Sequence, residues 1–334
     1  MILCSKSQDQ NWEVELGQSL RSAQELAAAG LIGDGEIARY TPLLRQFKFL
    51  LPRYYASLID PADPHCPIRR QAIPTLDEME TDSFRFSDPL QDLKHQPVPR
   101  ITHRYPNRVL LHLTPNCSMY CRYCFRKTLL NDLSEGLFQG GLEPAISYLR
   151  EHSEIEEVIF SGGDPFMVRD TALNKILEDL VGISHLQRLR FHTRVPVTFP
   201  SRVTEALVVS LTKTRFPIVV VTHFNHPKEL TAMSRKASTS LRRAGIFLLN
   251  QSVLLRGVND DEKSLTTLSR SLFEAEILPY YLHHPDPSKG TGHFDVTTER
   301  GLQLHHELKI ALPGYLVPKY VIDVVGSPYK SEVH

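Results

Sequence analysis

The sequence lacks the features of a secreted, membrane-spanning or nucleic-acid-binding protein. Its 334 residues carry no formal net charge, because 38 Lys and Arg residues balance 38 Asp and Glu residues. This balance excludes a general polycationic surface, so any anion site must be local. No apolar run reaches the roughly 18 residues of a membrane span, and the start, MILCSKSQDQ, does not resemble a signal peptide. We therefore expect a soluble, cytoplasmic protein that binds neither nucleic acid nor membrane.

Cysteine is also scarce, with only five residues in the chain. That number is too small for a disulfide framework in a protein of this length. Cys117, Cys121 and Cys124 fall within eight residues, and no cysteine follows them. Cys4 and Cys66 are isolated, and we expect both to be thiols without a role.

The distribution of apolar residues changes at about Arg100. Before it, segments such as Gln18 to Leu31 and Pro42 to Leu51 have helical spacing, which predicts a helical N-terminal region over residues 1–100. After it, six short apolar runs alternate with helical stretches, at intervals of about 30 residues that are typical of βα units. These runs are Val109 to Leu113, Glu157 to Phe160, Leu189 to His192, Ile218 to Thr222, Ile246 to Leu249 and Leu278 to Leu282.

Six βα units predict an α/β fold with a parallel sheet. A complete eightfold barrel needs about 250 residues, so a partial (β/α)6 barrel fits better. We divide the chain into the helical region, a barrel over 101–300 and a C-terminal segment over 301–334. Polar residues follow every predicted strand, and active sites of such barrels gather at the C-terminal ends of the strands. They include Thr114 and Asn116, Ser161 to Asp164, Thr193 and Arg194, His223 and Asn225, Asn250 and Gln251, and His283 to Asp286.

The cysteine triplet, Cys117-x3-Cys121-x2-Cys124, lies in the loop after the first of these strands. Three thiolates at this spacing can hold three irons of a cubane cluster and leave the fourth iron open. A structural zinc site would need a fourth ligand, which a histidine such as His112 could supply. Zinc, or an iron–sulfur scaffold without catalysis, therefore remains an alternative.

This cysteine spacing, together with SGGDP after the next strand, resembles the radical S-adenosylmethionine (SAM) superfamily. Longer segments resemble the lysine 2,3-aminomutase family over nearly all of residues 60–330. They are THRYPNRVLLHLTPNCSMYCRYCFRK, SGGDPF, VTHFNHPKEL, LLNQSVLLRGVND, PYYLHHPDPSKGTGHF and VIDVVGSPYK. The resemblance implies a radical SAM barrel and an isomerase that uses a 4Fe–4S cluster, SAM and pyridoxal 5'-phosphate (PLP). A radical SAM enzyme without PLP is the alternative.

The same resemblance implies roles for individual residues. Cys117, Cys121 and Cys124 would hold the cluster. Lys330 would carry PLP, although the residues before it, VVGSPY, contain one glycine where the family has a glycine-rich run. Arg104 and Arg108 would bind the PLP phosphate. The residues expected near SAM are Ser161, Gly162, Gly163, Asp164, His223 and Gln251.

The substrate would be held at both ends. Arg126 matches the arginine that binds the substrate carboxylate, and Asp286 and Asp323 match the aspartates that bind the lysine ε-ammonium. Retention of both aspartates favours L-lysine over glutamate. Because no cysteine follows Cys124, we expect no C-terminal zinc cluster of the kind that free-standing relatives carry.

The short end resembles the branch that makes (R)-β-lysine for the modification of elongation factor P. Partners implied by this resemblance are L-lysine, the factor with its lysyl ligase, and an electron donor of flavodoxin or ferredoxin type. A catabolic mutase acting on free lysine and a glutamate 2,3-aminomutase are the other interpretations.

Overall fold

The fold is taken from a computed structural model that describes residues 11–79, 84–131 and 136–334. Cys4 therefore lies outside the described residues, whereas Cys66 is a buried free thiol. None of the described helices is long and apolar enough to cross a membrane.

Five short helices precede the first described strand. They are α1 (Asn11–Gly17), α2 (Ala23–Ala28), α3 (Ile37–Gln46), α4 (Arg53–Ala56) and α5 (Pro67–Ala72). The helical character of this region was predicted, but the helix expected from Pro42 to Leu51 is wrong. That helix begins earlier and ends at Gln46, and Leu51 instead forms an isolated β-bridge with Leu20. Pro42 lies inside α3 although proline lacks the backbone N–H that donates in a helix, because the residues on both sides of it have helical spacing.

Nine strands of the described residues form one sheet in chain order. They are β1 (Ile101–Tyr105), β2 (Arg108–Thr114), β3 (Glu157–Gly162), β4 (Arg188–His192), β5 (Ile218–Thr222), β6 (Phe247–Val253), β7 (Leu278–His283), β8 (Lys319–Ile322) and β9 (Ser331–Glu332). Strands β2 to β7 are the six predicted runs, and each is parallel to the next. This confirms the partial (β/α)6 barrel, and β8, which was not predicted, adds a further strand parallel to β7.

Helices connect these strands on the outside of the sheet. They are α6 (Lys127–Asn131), α7 (Glu143–Glu151), α8 (Asp170–Val181), α9 (Val195–Thr198), α10 (Glu205–Thr212), α11 (Ala232–Arg243), α12 (Glu262–Glu274) and α13 (Thr298–Ala311). The starts of α10 to α13 are fixed by side-chain caps, because Thr204, Thr231, Asp261 and Thr297 each accept a hydrogen bond from the first turn.

Two hairpins at the ends of the sheet were not predicted. Strand β1 is antiparallel to β2, and β9 is antiparallel to β8. Among the described strands, no backbone pairing joins β1 to β9, so the sheet stays open. Side chains approach across this opening instead: the hydroxyl of Tyr105 donates to Asp323 (3.3 Å), and Arg104 lies 3.9 Å from the same carboxylate.

One hydrophobic core extends from the N-terminal helices into the barrel. It contains Leu26 and Tyr55 from the helices together with Phe160 and Phe191 from the strands. The N-terminal helices are therefore packed against the barrel rather than loosely attached, which fixes their side chains relative to the cysteine loop.

Candidate active site

The fifteen residues predicted from the sequence line a single cavity of about 470 Å³. They are Arg104, Arg108, Cys117, Cys121, Cys124, Arg126, Ser161, Gly162, Gly163, Asp164, His223, Gln251, Asp286, Asp323 and Lys330. The loops that follow β2, β3, β4 and β7 contribute to the lining of this cavity. Residues up to 226 positions apart in sequence thus share one chamber, as expected for a barrel with parallel strands.

The cysteine loop connects β2 to α6, and its three thiols are partly exposed to the cavity. Burial raises the pKa of Cys117 well above its usual value, and charges at Asp164 and the other two thiols raise it further. Burial and the neighbouring Cys121 raise the pKa of Cys124 to about 11. The thiols are therefore close enough to oppose one another's ionisation, and a bound cation would relieve that repulsion.

The loop after β3 lies directly against the cysteine loop. The backbone N–H of Gly163 donates to the carbonyl of Thr114 (2.7 Å), and that of Asp164 donates to Asn116 (2.9 Å). A Cβ on Gly163 would lie 2.4 Å from the Asn116 carbonyl oxygen. The glycine is thus required for the contact between the two loops.

Asp164 connects the same loop to the end of β4. Its carboxylate accepts from the Thr193 hydroxyl (2.6 Å) and from the backbone N–H groups of Phe166 (3.0 Å) and Arg194 (2.7 Å). Burial raises the pKa of Asp164, although these hydrogen bonds counteract part of the effect. The side chain therefore holds the loops in place.

At the other side of the cavity, the β8–β9 hairpin brings Lys330 back beside Asp323. The ammonium of Lys330 is paired with the Asp323 carboxylate, and the lysine side chain is 23% exposed. Lys330 is therefore part of the cavity wall and not a solvated residue of the tail. Burial opposes ionisation of Asp323, but Lys330 outweighs it and lowers the pKa of the carboxyl.

Asp286 faces the same space from the segment after β7. Burial, and then the negative charge of Asp323, raise the pKa of Asp286 to about 7. Lys330 and Arg126 lower the pKa of Asp286, but they offset only part of this increase. The positive charge around Asp286 is therefore too small to return its pKa to the usual range.

The β1–β2 hairpin places Arg104 and Arg108 at one end of the cavity. Arg108 donates to the Asn107 side chain (2.9 Å) and lies over the Tyr105 ring, 4.1 Å from its centroid. In the described part of the chain, no carboxylate comes within 4 Å of Arg108. The lining contains seven basic and five acidic side chains, so the cavity has a local positive excess in a neutral protein.

Arg126 is buried at the cysteine end. Its Nε donates to Asp92 (2.7 Å) and its Nη1 to the hydroxyl of Ser161 (3.1 Å). Burial disfavours the charged guanidinium, but Asp92 outweighs this and raises the pKa of Arg126. Asp92 thus fixes both the charge and the orientation of Arg126.

Comparisons with known proteins identify relatives of this chain. Residues 107–186, which include the three cysteines, match a 4Fe-4S single cluster domain. An L-lysine 2,3-aminomutase from Haemophilus influenzae is 38% identical over 325 residues, which cover 97% of this chain and 96% of that protein. Another from Escherichia coli is 40% identical over 85% of this chain and 83% of that protein.

The chain belongs to the lysine 2,3-aminomutase family. It is accordingly an isomerase of the radical SAM type, and the three expected cofactors, a 4Fe–4S cluster, SAM and PLP, are confirmed. Among solved structures, a radical SAM methyltransferase from Sphaerobacter thermophilus has a TM-score of 0.44 and 17% identity, over 66% of this chain and 68% of that one. That similarity is too low to support an inference about either fold or activity.

The residues of this aminomutase-family cavity fit the cluster. In the ranges that the structure describes, no three His, Cys, Asp or Glu side chains converge at the geometry of a single metal ion. Zinc would draw its sulfur ligands around one point, at about 2.3 Å each. Thiols of a cubane instead bind three different irons and stand farther apart. Three thiols that share one cavity without converging are consistent with the cluster.

The cavity also offers groups that suit the two organic cofactors. Lys330 presents an amine inside the cavity, and Arg108 presents a cation without a carboxylate partner among the described residues. His223 lines the cavity, and its buried Nε2 has no hydrogen-bond partner in the described part of the chain. Burial lowers the pKa of His223 well below its ordinary value, so a neutral imidazole is available to an incoming ligand.

The sequence interpretation missed several side chains of the cavity. Asp92 precedes the barrel, in a segment without a recognisable motif, and only the fold brings it to Arg126. Tyr105 lies within the quoted segment THRYPNR but was not selected. Arg194 was noted as a residue after a strand, yet its contact with Cys121 was not foreseen.

Proposed function

We propose that this enzyme converts L-lysine into (R)-β-lysine, with the amino group moving from the α-carbon to the β-carbon. The observation that carries the proposal is the position of Asp286 and Asp323 in the same cavity as Lys330 and the cysteine loop. The relatives named above act on L-lysine by name, which supports the same substrate.

The two aspartates account for the choice of a basic substrate. A second carboxylate beside Asp323 is costly in a buried site, as the raised pKa of Asp286 records. A substrate ammonium placed between them would remove that cost. A glutamate side chain would instead add a third carboxylate, which like-charge repulsion disfavours. We therefore assign Asp286 and Asp323 to the ε-ammonium of lysine.

Arg126 is proposed to bind the substrate carboxylate. Its guanidinium is oriented by Asp92 and Ser161, so a ligand need not order a flexible side chain. Asp92 neutralises part of its charge but also prevents it from turning away. The planar guanidinium can give a carboxylate two parallel hydrogen bonds, which fixes the α-carbon of the substrate in one orientation.

We propose that Cys117, Cys121 and Cys124 hold the cluster, with Ser161 to Asp164, His223 and Gln251 around SAM. Lys330 would bind PLP, with Arg104 and Arg108 at its phosphate. When bound, the cluster and SAM supply the radical that removes a hydrogen atom, and PLP holds the migrating amino group. The chain contributes position: backbone hydrogen bonds join the cysteine loop to the loop after β3, so the groups of the site are held in a fixed arrangement.

The finer part of the proposal concerns the use of the product. The segments YYLHHPDPSKGTGHF and GYLVPK support the branch that makes (R)-β-lysine for elongation factor P. Mass spectrometry of the factor from cells with and without this gene tests it. Loss of the β-lysine mass on deletion is expected, and an unchanged factor would favour a mutase that serves free lysine metabolism.

The activity itself is tested with the purified enzyme under anaerobic conditions. L-Lysine is incubated with SAM, PLP and dithionite, and the products are separated by chiral chromatography. We expect (R)-β-lysine, and we expect no product when any one cofactor is omitted. The (S)-isomer, or turnover that persists without PLP, would contradict the proposal.

A further inference from the structure

Arg194, at the end of β4, has one guanidinium edge directed at the cysteine loop. Its Nη1 donates a hydrogen bond to the Sγ of Cys121 at 2.9 Å. The side chain is 8% exposed, so water does not compete effectively for this donor. Of the three cysteines in the loop, Cys121 is the one that this arginine contacts.

The remaining nitrogen atoms of Arg194 are held by other parts of the fold. Its Nη2 donates to Glu229 (2.6 Å), Gln71 (2.6 Å) and the Tyr55 hydroxyl (3.1 Å). Its Nε donates to the carbonyl of His223 (3.2 Å). Gln71 and Tyr55 come from the N-terminal helices, so two regions of the chain fix one guanidinium.

The orientation of these contacts determines where the charge acts. Glu229 binds Nη2, whereas the cysteine sulfur binds Nη1. The carboxylate therefore offsets part of the positive charge without removing the donor from the sulfur. Hydrogen bonds to ligand sulfurs, and nearby charge, are among the factors that set the reduction potential of an iron–sulfur cluster.

We propose that Arg194 is a positioning residue for the iron–sulfur cluster. Its hydrogen bond to the Sγ of Cys121 raises the reduction potential of the bound cluster. This inference rests on the proposed assignment of Cys121 as a cluster ligand. Reduction adds one electron to the cluster, and the additional negative charge strengthens a hydrogen bond from a cation. Arg194 thus stabilises the reduced form more than the oxidised form.

The proposal is tested with variants of the cluster-loaded holoenzyme. In Arg194→Gln the cation is removed, and in Arg194→Lys the charge remains but one ammonium cannot replace every guanidinium contact. The matched control is Arg202→Gln, which removes another buried arginine of the segment that follows β4. Arg202 binds Asp170 and the carbonyl of Phe166, away from the cysteine loop.

The measurement is a dye-mediated redox titration, followed by electron paramagnetic resonance of the reduced cluster, with iron and sulfide content determined in parallel. We expect Arg194→Gln to reduce the cluster's reduction equilibrium constant about tenfold, which is 59 mV for a one-electron couple. Arg194→Lys should lie between this value and the wild type. Arg202→Gln should lose thermal stability and keep the wild-type potential.

Arg194→Lys provides the comparison if Arg194→Gln does not fold. An unchanged potential in a cluster-loaded Arg194 variant overturns the proposal, as does an equal shift in Arg202→Gln. If the wild-type protein holds no cluster, the cysteine assignment itself is wrong. If it holds a cluster whose reduction potential does not change when Arg194 is replaced, only the role proposed for Arg194 is wrong.

Discussion

Replacement of Asp286 by asparagine tests how the cavity recognises its substrate. Burial and Asp323 raise the pKa of Asp286 to about 7, so this carboxyl is partly protonated near neutral pH in the substrate-free enzyme. The lysine ε-ammonium stays charged below about pH 10. Because the ionised carboxylate is the form that binds the ammonium, kcat/KM for lysine should rise with pH until it passes about 7 and then level off.

The size of the effect follows from burial. A buried charge that loses one partner is destabilised by about 3 to 5 kcal/mol. At about 1.4 kcal/mol for each factor of ten, Asp286→Asn should lower kcat/KM for lysine roughly 100- to 4000-fold. The variant should also lose the rise of kcat/KM around pH 7, since that rise reports a group of the free enzyme.

The assay is anaerobic turnover of lysine between pH 6 and 9, with the product measured by chromatography. Asp295→Asn is the matched control, because Asp295 lies in the same segment, is half-exposed and pairs with Arg85 outside the cavity. We expect this control to keep the wild-type pH profile. The reasoning is refuted if Asp286→Asn keeps the rise near pH 7 or loses less than tenfold in kcat/KM.

Three further outcomes follow from the same structure. Borohydride reduction of the PLP-loaded enzyme should label Lys330; the label should vanish in Lys330→Ala and persist in Lys319→Ala, whose lysine is 64% exposed. Gly163→Ala should lower the iron content and destabilise the fold by about 1 to 3 kcal/mol, because its Cβ would meet the Asn116 carbonyl. Gly314→Ala, which meets nothing within 4 Å, should do neither. Asp286→Asn should raise the melting temperature at pH 8 but not at pH 4, because the stability cost of a raised folded-state pKa grows as pH rises from the unfolded to the folded pKa and is present in full above both. Each prediction is contradicted by one result: a label that persists in Lys330→Ala, full iron content in Gly163→Ala, or equal melting temperatures of the wild type and Asp286→Asn at pH 8.

Much of this fold could be predicted from the sequence, because each barrel strand is recognisable from its own residues. Runs such as Ile218 to Thr222 are β-branched and recur at the length of a βα unit, so their pairing order needed no further information. The β8–β9 hairpin was missed for a physical reason: its strands contain four and two residues, too few to show a period. Helix α3 was misplaced because the predicted segment began at Pro42, whereas the helix begins at Ile37 and continues through the proline.

The site was predictable where motifs fix the spacing and unpredictable where only the fold creates contacts. The three cysteines and the SGGD loop could be read from adjacent residues. The pair of Arg126 with Asp92 could not, because 34 positions separate them and the aspartate lies in an irregular segment. The elevated pKa of Asp286 depends on burial and on Asp323, which follows the neighbouring strand β8 and is separated from Asp286 in sequence by helix α13.

The proposal that two aspartates in one cavity select lysine is tested by the ratio of kcat/KM for L-lysine to that for L-glutamate. The ratio is measured anaerobically with the fully loaded wild-type enzyme. We expect (R)-β-lysine as the product and a ratio of at least about 100, because buried charges would be left unpaired with glutamate. Equal turnover of the two amino acids, or a preference for glutamate, would contradict it.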